Sequence, residues 1–343
     1  MRGDRRRRAW TLTILMAAVA SGAAPAARAC DVCAVYTATE MREGRTGVRV
    51  GVGEQFTRFA RVQDDGHEID GNGEYLNSSI TQLLLGYDFV PRFGLQLNVP
   101  IITRDYRRLE NDRLVRGNET GFGDLSLLGV VRPFSWVNEE IVVRTTLFGG
   151  LKLPSGDPDR IGEELEEGDA PAAEVAHGER RVSRQAHGDD DHGATSGIHG
   201  HDLALGSGSV DGVIGGGAFA SWRRAFAATS LQYSIRSEGS FDYRYANELN
   251  WLVSAGAYAL LEPEYSLALQ AVASGAYKGN DVLDGTSATD TRIAFVFLGP
   301  GITFTWKTSL GAEVTADLPV SRDNTGVQIV PSYRIRGGVT WHF

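Results

Sequence analysis

Cysteine, proline and methionine are all scarce in this chain, at 2, 11 and 3 of 343 residues. Two cysteines cannot staple a fold together. Cys30 and Cys33 stand as "CDVC", a spacing open to a local disulfide, free thiols, metal ligation or acylation of Cys30. A c-type haem attachment is disfavoured, because Ala34 stands where a histidine is needed. No apolar run approaches the about 20 residues that a membrane-spanning helix needs. A membrane location would therefore have to use strands. Basic excess is missing too: 34 Lys and Arg face 43 Asp and Glu, for a net charge of −9. That balance argues against a nucleic-acid partner, which calls for a basic stripe.

Histidine is scarce outside one loop, with only His67 and His342 elsewhere. Hydrolases need a nucleophile and a base fixed on rigid elements, and no serine has a strand-borne histidine in prospect. The run Gly215-Gly216-Gly217 lacks the lysine and helix of a phosphate loop. Catalytic residues are therefore not expected, and no cofactor is required.

What is present begins with an export signature. Arg2 and the run from Arg5 to Arg8 precede a short apolar stretch, Trp10 to Ala20, and then Ala27-Arg28-Ala29, an A-x-A cleavage pattern. The expectation is a signal peptide over 1–29, a periplasmic segment over 30–45 carrying the C-x-x-C, and a barrel over 46–343. Acidity concentrates in one segment. Residues 155–208 hold thirteen acids and four arginines, −9 by themselves.

From Thr46 onward period-2 alternation dominates and helical periodicity is hard to find. The last strand is clearest. Tyr333, Ile335, Gly337, Val339, Trp341 and Phe343 fall on one face, and Arg334, Arg336, Gly338, Thr340 and His342 on the other. An alternating aromatic strand that closes on Phe343 resembles the assembly signal read by barrel-insertion machinery. Twelve strands are expected near 47–60, 78–90, 93–107, 122–134, 140–154, 209–221, 226–237, 246–261, 265–277, 291–306, 309–320 and 327–343. Short and long connections alternate between them, as transmembrane barrels require. The fold class is thus an all-β, antiparallel up-and-down outer-membrane barrel, with both termini on the periplasmic side and residues 155–208 as a long disordered external loop. Phe89, Phe93, Phe134, Trp136, Trp222, Phe226, Tyr265, Trp306, Trp341 and Phe343 cluster at the short turns and read as an interfacial girdle.

Alternation also assigns a lumen. If Ala312, Val314, Ala316 and Leu318 face lipid, Glu313 and Asp317 face inward, opposite Arg334 and Arg336. Arg144 and Lys152 point inward by the same argument, as do Gln82, Asp88, Gln96, Asn98, Arg104, Gln232, Ser234 and Arg236. Such a lining suits water or a polar solute. An internal salt-bridge plug is the alternative.

Two stretches, "TGFGDLSLLGVVRPF" (Thr120 to Phe134) and "LFGGLKLPSGD" (Leu147 to Asp157), resemble the outer-membrane family named after the meta-pathway of phenol degradation. That resemblance implies a barrel and suggests transport.

Five of the seven histidines lie in the acidic loop: His177, His187, His192, His199 and His201. Asp189, Asp190, Asp191 and Asp202 are interleaved with them. Imidazoles beside carboxylates suit Zn, Cu or Ni, and His199-x-His201 is a candidate bidentate pair, with His67 able to join. The sequence thus supports a passive channel for a small solute. A barrel-anchored surface metal binder and a structural or adhesion barrel are the alternatives. Outer-membrane lipid is the expected surrounding.

Overall fold

The computed structural model describes residues 46–110, 113–164, 196–307 and 309–343. Expectations placed on the signal segment, on Cys30 and Cys33, and on His177, His187, Asp189, Asp190, Asp191 and His192 lie outside the described residues.

Twelve antiparallel strands pair in chain order and close on themselves. They are β1 Gly47–Asp64, β2 Tyr75–Val90, β3 Phe93–Glu110, β4 Leu125–Val137, β5 Ile141–Leu153, β6 Asp211–Trp222, β7 Ala225–Ile235, β8 Glu248–Leu261, β9 Tyr265–Lys278, β10 Ile293–Trp306, β11 Leu310–Asn324 and β12 Val327–His342. β12 pairs with β1 from Arg49–His342 to Asp64–Val327, which completes the ring. The strands lean strongly. Register partners lead from Arg49 near the start of β1 through Gly86, Gln96, Leu128, Gly150, Val213, Ser234, Glu248, Lys278 and Ile293 to Asn324 at the far end of β11. Closure of a sheet demands such a stagger.

Alternation sets the faces as the sequence suggested. Val314, Leu318, Ile335, Val339, Leu147 and Leu151 are exposed on the outside, while Thr315, Asp317, Arg334 and Lys152 are buried within. An exposed apolar band of this extent is a lipid-facing surface. Of the ten aromatics expected in the girdle, nine are exposed at the short-turn ends. Phe226 is the correction. In β7 Leu231, Tyr233 and Ile235 face out, so Phe226 turns inward, where it is buried against Phe219 and Tyr258.

Strands on the loop side run further than expected. Residues 108–121, expected as a loop, continue β3 to Glu110 and return as a strand over Arg113–Phe122. The expected long connection after β11 shrinks to a turn at Thr325-Gly326, with Gly326 at φ 64°. Outside the apolar band both faces of a hairpin meet polar surroundings, so apolar alternation fades while pairing persists. A separate three-stranded sheet joins Tyr243–Arg244, Asp281–Leu283 and Thr286–Ala288 from two neighbouring loops.

The β11–β12 ladder stops at Asp317–Arg334. Above it stand Pro319 and Pro331, which have no N–H to give. Arg322 Nε donates to the Pro331 carbonyl at 2.7 Å, and Ile329 N donates to the Gly197 carbonyl of the long loop at 2.7 Å. The loop therefore takes up a backbone group that β11 leaves.

Placement of the band makes a stability prediction. Val314→Arg, near mid-band, is expected to destabilise the barrel by about 2–4 kcal/mol, and Val320→Arg near the loop-side rim by only about 0–1 kcal/mol. Urea titration of folding into lipid vesicles measures both; equal losses would contradict the placement.

Candidate functional site

Inside the ring, charged side chains are buried in pairs and triads. Asp317 accepts from Arg334 Nε at 3.2 Å and from Arg336 Nε at 3.0 Å. Arg334 also donates to Ser274 Oγ at 2.6 Å and lies 3.9 Å over the Phe297 ring. Adjacent strands β11 and β12 bring these groups together because Asp317 and Arg334 are direct register partners. Across the barrel Lys152 bridges Asp124 and Asp211, and Arg236 bridges Asp211 at 2.8 Å and Glu248 at 2.9 Å. Nearer the short-turn end, Asp88 lies 3.3 Å from Arg49 and 2.8 Å from Arg132. A buried ion is tolerated only with partners of this kind.

Of the expected pore-lining residues, Lys152, Asp317, Arg334 and Arg336 enter these networks, and Glu313 lines the central cavity. Arg144 sits on β5 opposite Phe219, at the short-turn end. Gln82, Asp88, Gln96, Asn98, Arg104, Gln232, Ser234 and Arg236 all face inward. The acidic partners Asp124, Asp211 and Glu248 escaped the sequence reading, since each stands at a strand end, where alternation is hardest to anchor.

A cavity of about 80 Å³ lies in the middle of the barrel. Gln55, Gln82, Gln232, Asn250, Ser274 and Glu313 are among its lining. A second space of about 30 Å³, bordered by Asn98, Ser126, Lys152 and Ser234, shares Gln82 and Gln232 with it. Toward the short turns, an apolar wall of Phe219, Phe226 and Ala268, with Val142, Ala228 and Tyr258 against it, spans β5 to β9.

Toward the long loops the mouth is filled. Ile198 and Leu203 pack into a buried cluster with Phe59, Val62, Leu76, Tyr106, Phe295, Phe297, Ile329 and Val330. The two described ends of the acidic loop, 155–164 and 196–208, form this cap. They cross at Gly156 and Gly206, where a Cβ on Gly156 would lie 2.6 Å from the Leu205 carbonyl oxygen. That contact explains a glycine in the "LPSGD" stretch: the two backbones touch.

Polar anchors surround the apolar cap. Glu74 accepts from Ser196 Oγ at 2.5 Å and from Gly197 N at 3.1 Å. Arg160 donates to Glu119 and to the Tyr106 hydroxyl, and Arg108 holds Glu163 at 2.7 Å. A short helix, Gly200–Leu203, is capped by Asp202, whose carboxylate accepts from His199 N at 3.1 Å. His199 and His201 stack with ring centroids 5.5 Å apart. His199 Nε2 lies 3.0 Å from the Val327 carbonyl oxygen, and His201 Nδ1 lies 2.9 Å from Glu164 Oε1. These histidines thus anchor the cap to β12 and to the other loop end. His67 lies apart, exposed on the first loop, and His342 is buried at the short-turn rim. Among the described residues no three His, Cys, Asp or Glu are grouped as a metal site.

Burial alone would raise the Glu164 carboxyl, but attraction to His201 and hydrogen bonds from it hold the group down at about 2. Burial would lower His201, and Asp202 and Glu164 outweigh it, raising the imidazole.

Three comparisons bear on this architecture. No protein-family model matches the sequence, and no curated protein matches it. Among solved structures, an outer-membrane channel from Pseudomonas putida F1 superposes with a TM-score of 0.58 at 14% identity, covering 90% of this chain and 100% of that one. The translocator domain of the autotransporter NalP from Neisseria meningitidis gives 0.40 at 11% identity, over 90% and 92% of the two chains. The beta domain of a Bordetella autotransporter gives 0.39 at 10%, over 87% and 100%. The likeness to the Pseudomonas channel is one of fold.

A prediction concerns the Glu164–His201 latch. Glu164 is depressed, so its contribution is complete above its ordinary 4.5 and is lost as pH falls toward about 2. His201 is raised, so its contribution is complete below its ordinary 6.5 and is lost as pH climbs through the raised value. The cap is therefore tightest between 4.5 and 6.5. Hydrogen exchange over residues 196–204, corrected for intrinsic rate, should speed up at alkaline pH, and Glu164→Gln should remove most of that dependence.

Proposed function

We propose that the protein is an outer-membrane channel that passes a small solute passively through its polar lumen, with the chain ends and short turns on the periplasmic side. The carrying observation is a closed barrel with an apolar outer face and a central cavity of about 80 Å³, lined by amides, hydroxyls and charges together with Ile80, Trp251 and Leu252. The Pseudomonas protein of the same fold is described as an outer-membrane channel, and the resemblance of residues 120–134 and 147–157 to the meta-pathway family points the same way.

Conduction on this reading requires the cap to shift, because Ile198 and Leu203 fill the mouth. The lumen is a passage rather than a catalytic centre. Ser207 Oγ accepts from the amine of Lys152, but that amine is bridged between Asp124 and Asp211 in an ion-pair role.

Single-channel recording of the refolded protein tests the proposal. Wild type should show small, steady conductance. Replacing Ile198 and Leu203 together by Ser should raise open probability or conductance several-fold, since the cluster they complete would then hydrate. A folded barrel that stays silent in both forms would overturn the channel reading.

A further inference from the structure

We infer that the lumen selects uncharged, hydrogen-bonding solutes over ions of either sign. This rests on the channel reading above and names the class of solute that the chamber accepts.

The first observation is that the charges of the chamber wall are engaged with one another. Beside the larger cavity the cations Arg334 and Arg336 are both held by Asp317, and the acids Glu54 and Glu313 also border it. In the adjoining space Lys152 and Arg236 stand against Asp124, Asp211 and Glu248. Each cation is committed to a carboxylate a few ångströms away. A permeant ion finds these charges already engaged, and little that replaces its hydration energy.

The second observation is the chemistry of the remaining surface. Gln55, Gln82, Gln232 and Asn250 carry carboxamides, Ser230 and Ser274 carry hydroxyls, and Ile80, Trp251 and Leu252 add apolar surface among them. A carboxamide both donates and accepts, and a hydroxyl does the same. A neutral solute bearing hydroxyls or amides can exchange its water for these groups with little loss.

The third observation lies at the ends. Phe59, Phe295 and Phe297 stand beside the chamber on the loop side, and Phe219 and Phe226 on the short-turn side. Apolar constrictions dewet and so oppose ions far more than neutral molecules. A polyol, by contrast, presents C–H faces as well as hydroxyls. Its passage along aromatic walls has a much smaller barrier.

The experiment uses the full refolded barrel in liposomes and planar bilayers. Three probes of similar size are compared by osmotic swelling: arabinose, sodium gluconate and glucosamine hydrochloride. Reversal potential in a potassium chloride gradient is read on the same preparations. Arabinose should enter about tenfold faster than either charged probe, and the chloride-to-potassium permeability ratio should stay within about twofold of unity. Asp317→Asn should shift that ratio several-fold toward chloride, because Arg334 and Arg336 lose their shared counter-ion. Gluconate or glucosamine keeping pace with arabinose, or a strongly ion-selective wild type, would overturn the inference while leaving the channel intact. Impermeability to all three probes, in wild type and in the Ile198 and Leu203 double variant alike, would overturn the channel reading and the selectivity with it.

Discussion

A backbone N–H or C=O surrounded by hydrocarbon has no water to turn to, and leaving it unpaired costs several kcal/mol. The pairing of β12 with β1 is what removes the open edges, and every other property of the molecule follows from that closure. Closing twelve strands requires the lean seen in the register path from Arg49 to Asn324. Lean and strand number together set the bore, and alternation then forces half of each strand's side chains into it. A polar interior is the necessary complement of an apolar exterior.

An interior so filled raises its own difficulty, since ionised side chains buried in a protein wall are destabilising when single. The solution is local. Asp317 serves two arginines from the neighbouring strand, and Asp211 serves Lys152 and Arg236. Apolar groups occupy what remains, with the aromatic cluster on the loop side and the Phe219–Phe226 wall at the opposite end. The cap joins both strategies. Ile198 and Leu203 fill the apolar gap, and Glu74, Arg160 and Glu164 tie the surrounding polar groups.

Much of this was legible in the chain. Strand number, facing and the Asp317–Arg334–Arg336 group all follow from period 2, because a lipid face tolerates so few polar residues. Legibility failed where that constraint is absent. The hairpin Arg113–Phe122 carries polar residues on both sides, so alternation had nothing to mark. Phe226 was assigned outward from its position at a turn, although the parity of Leu231 and Tyr233 places it inward. Ile198 and Leu203 were overlooked because the acidic, glycine-rich residues around them suggest a segment without a core. Three-dimensional partners supply that core: Val62, Phe295 and Ile329 come from three different strands.

The bond from Ile329 N to the Gly197 carbonyl makes the cap a stave in the wall as well as a stopper in the mouth. Where β11 ends its pairing beside Pro319 and Pro331, loop residues continue the barrel's hydrogen bonding on β12. On the channel reading, permeability and mechanical integrity share a component. A substitution that loosens the stopper also loosens the cask at its outer seam, so the chain cannot evolve a wider mouth by trimming this segment without reinforcing the hoop at β11 and β12.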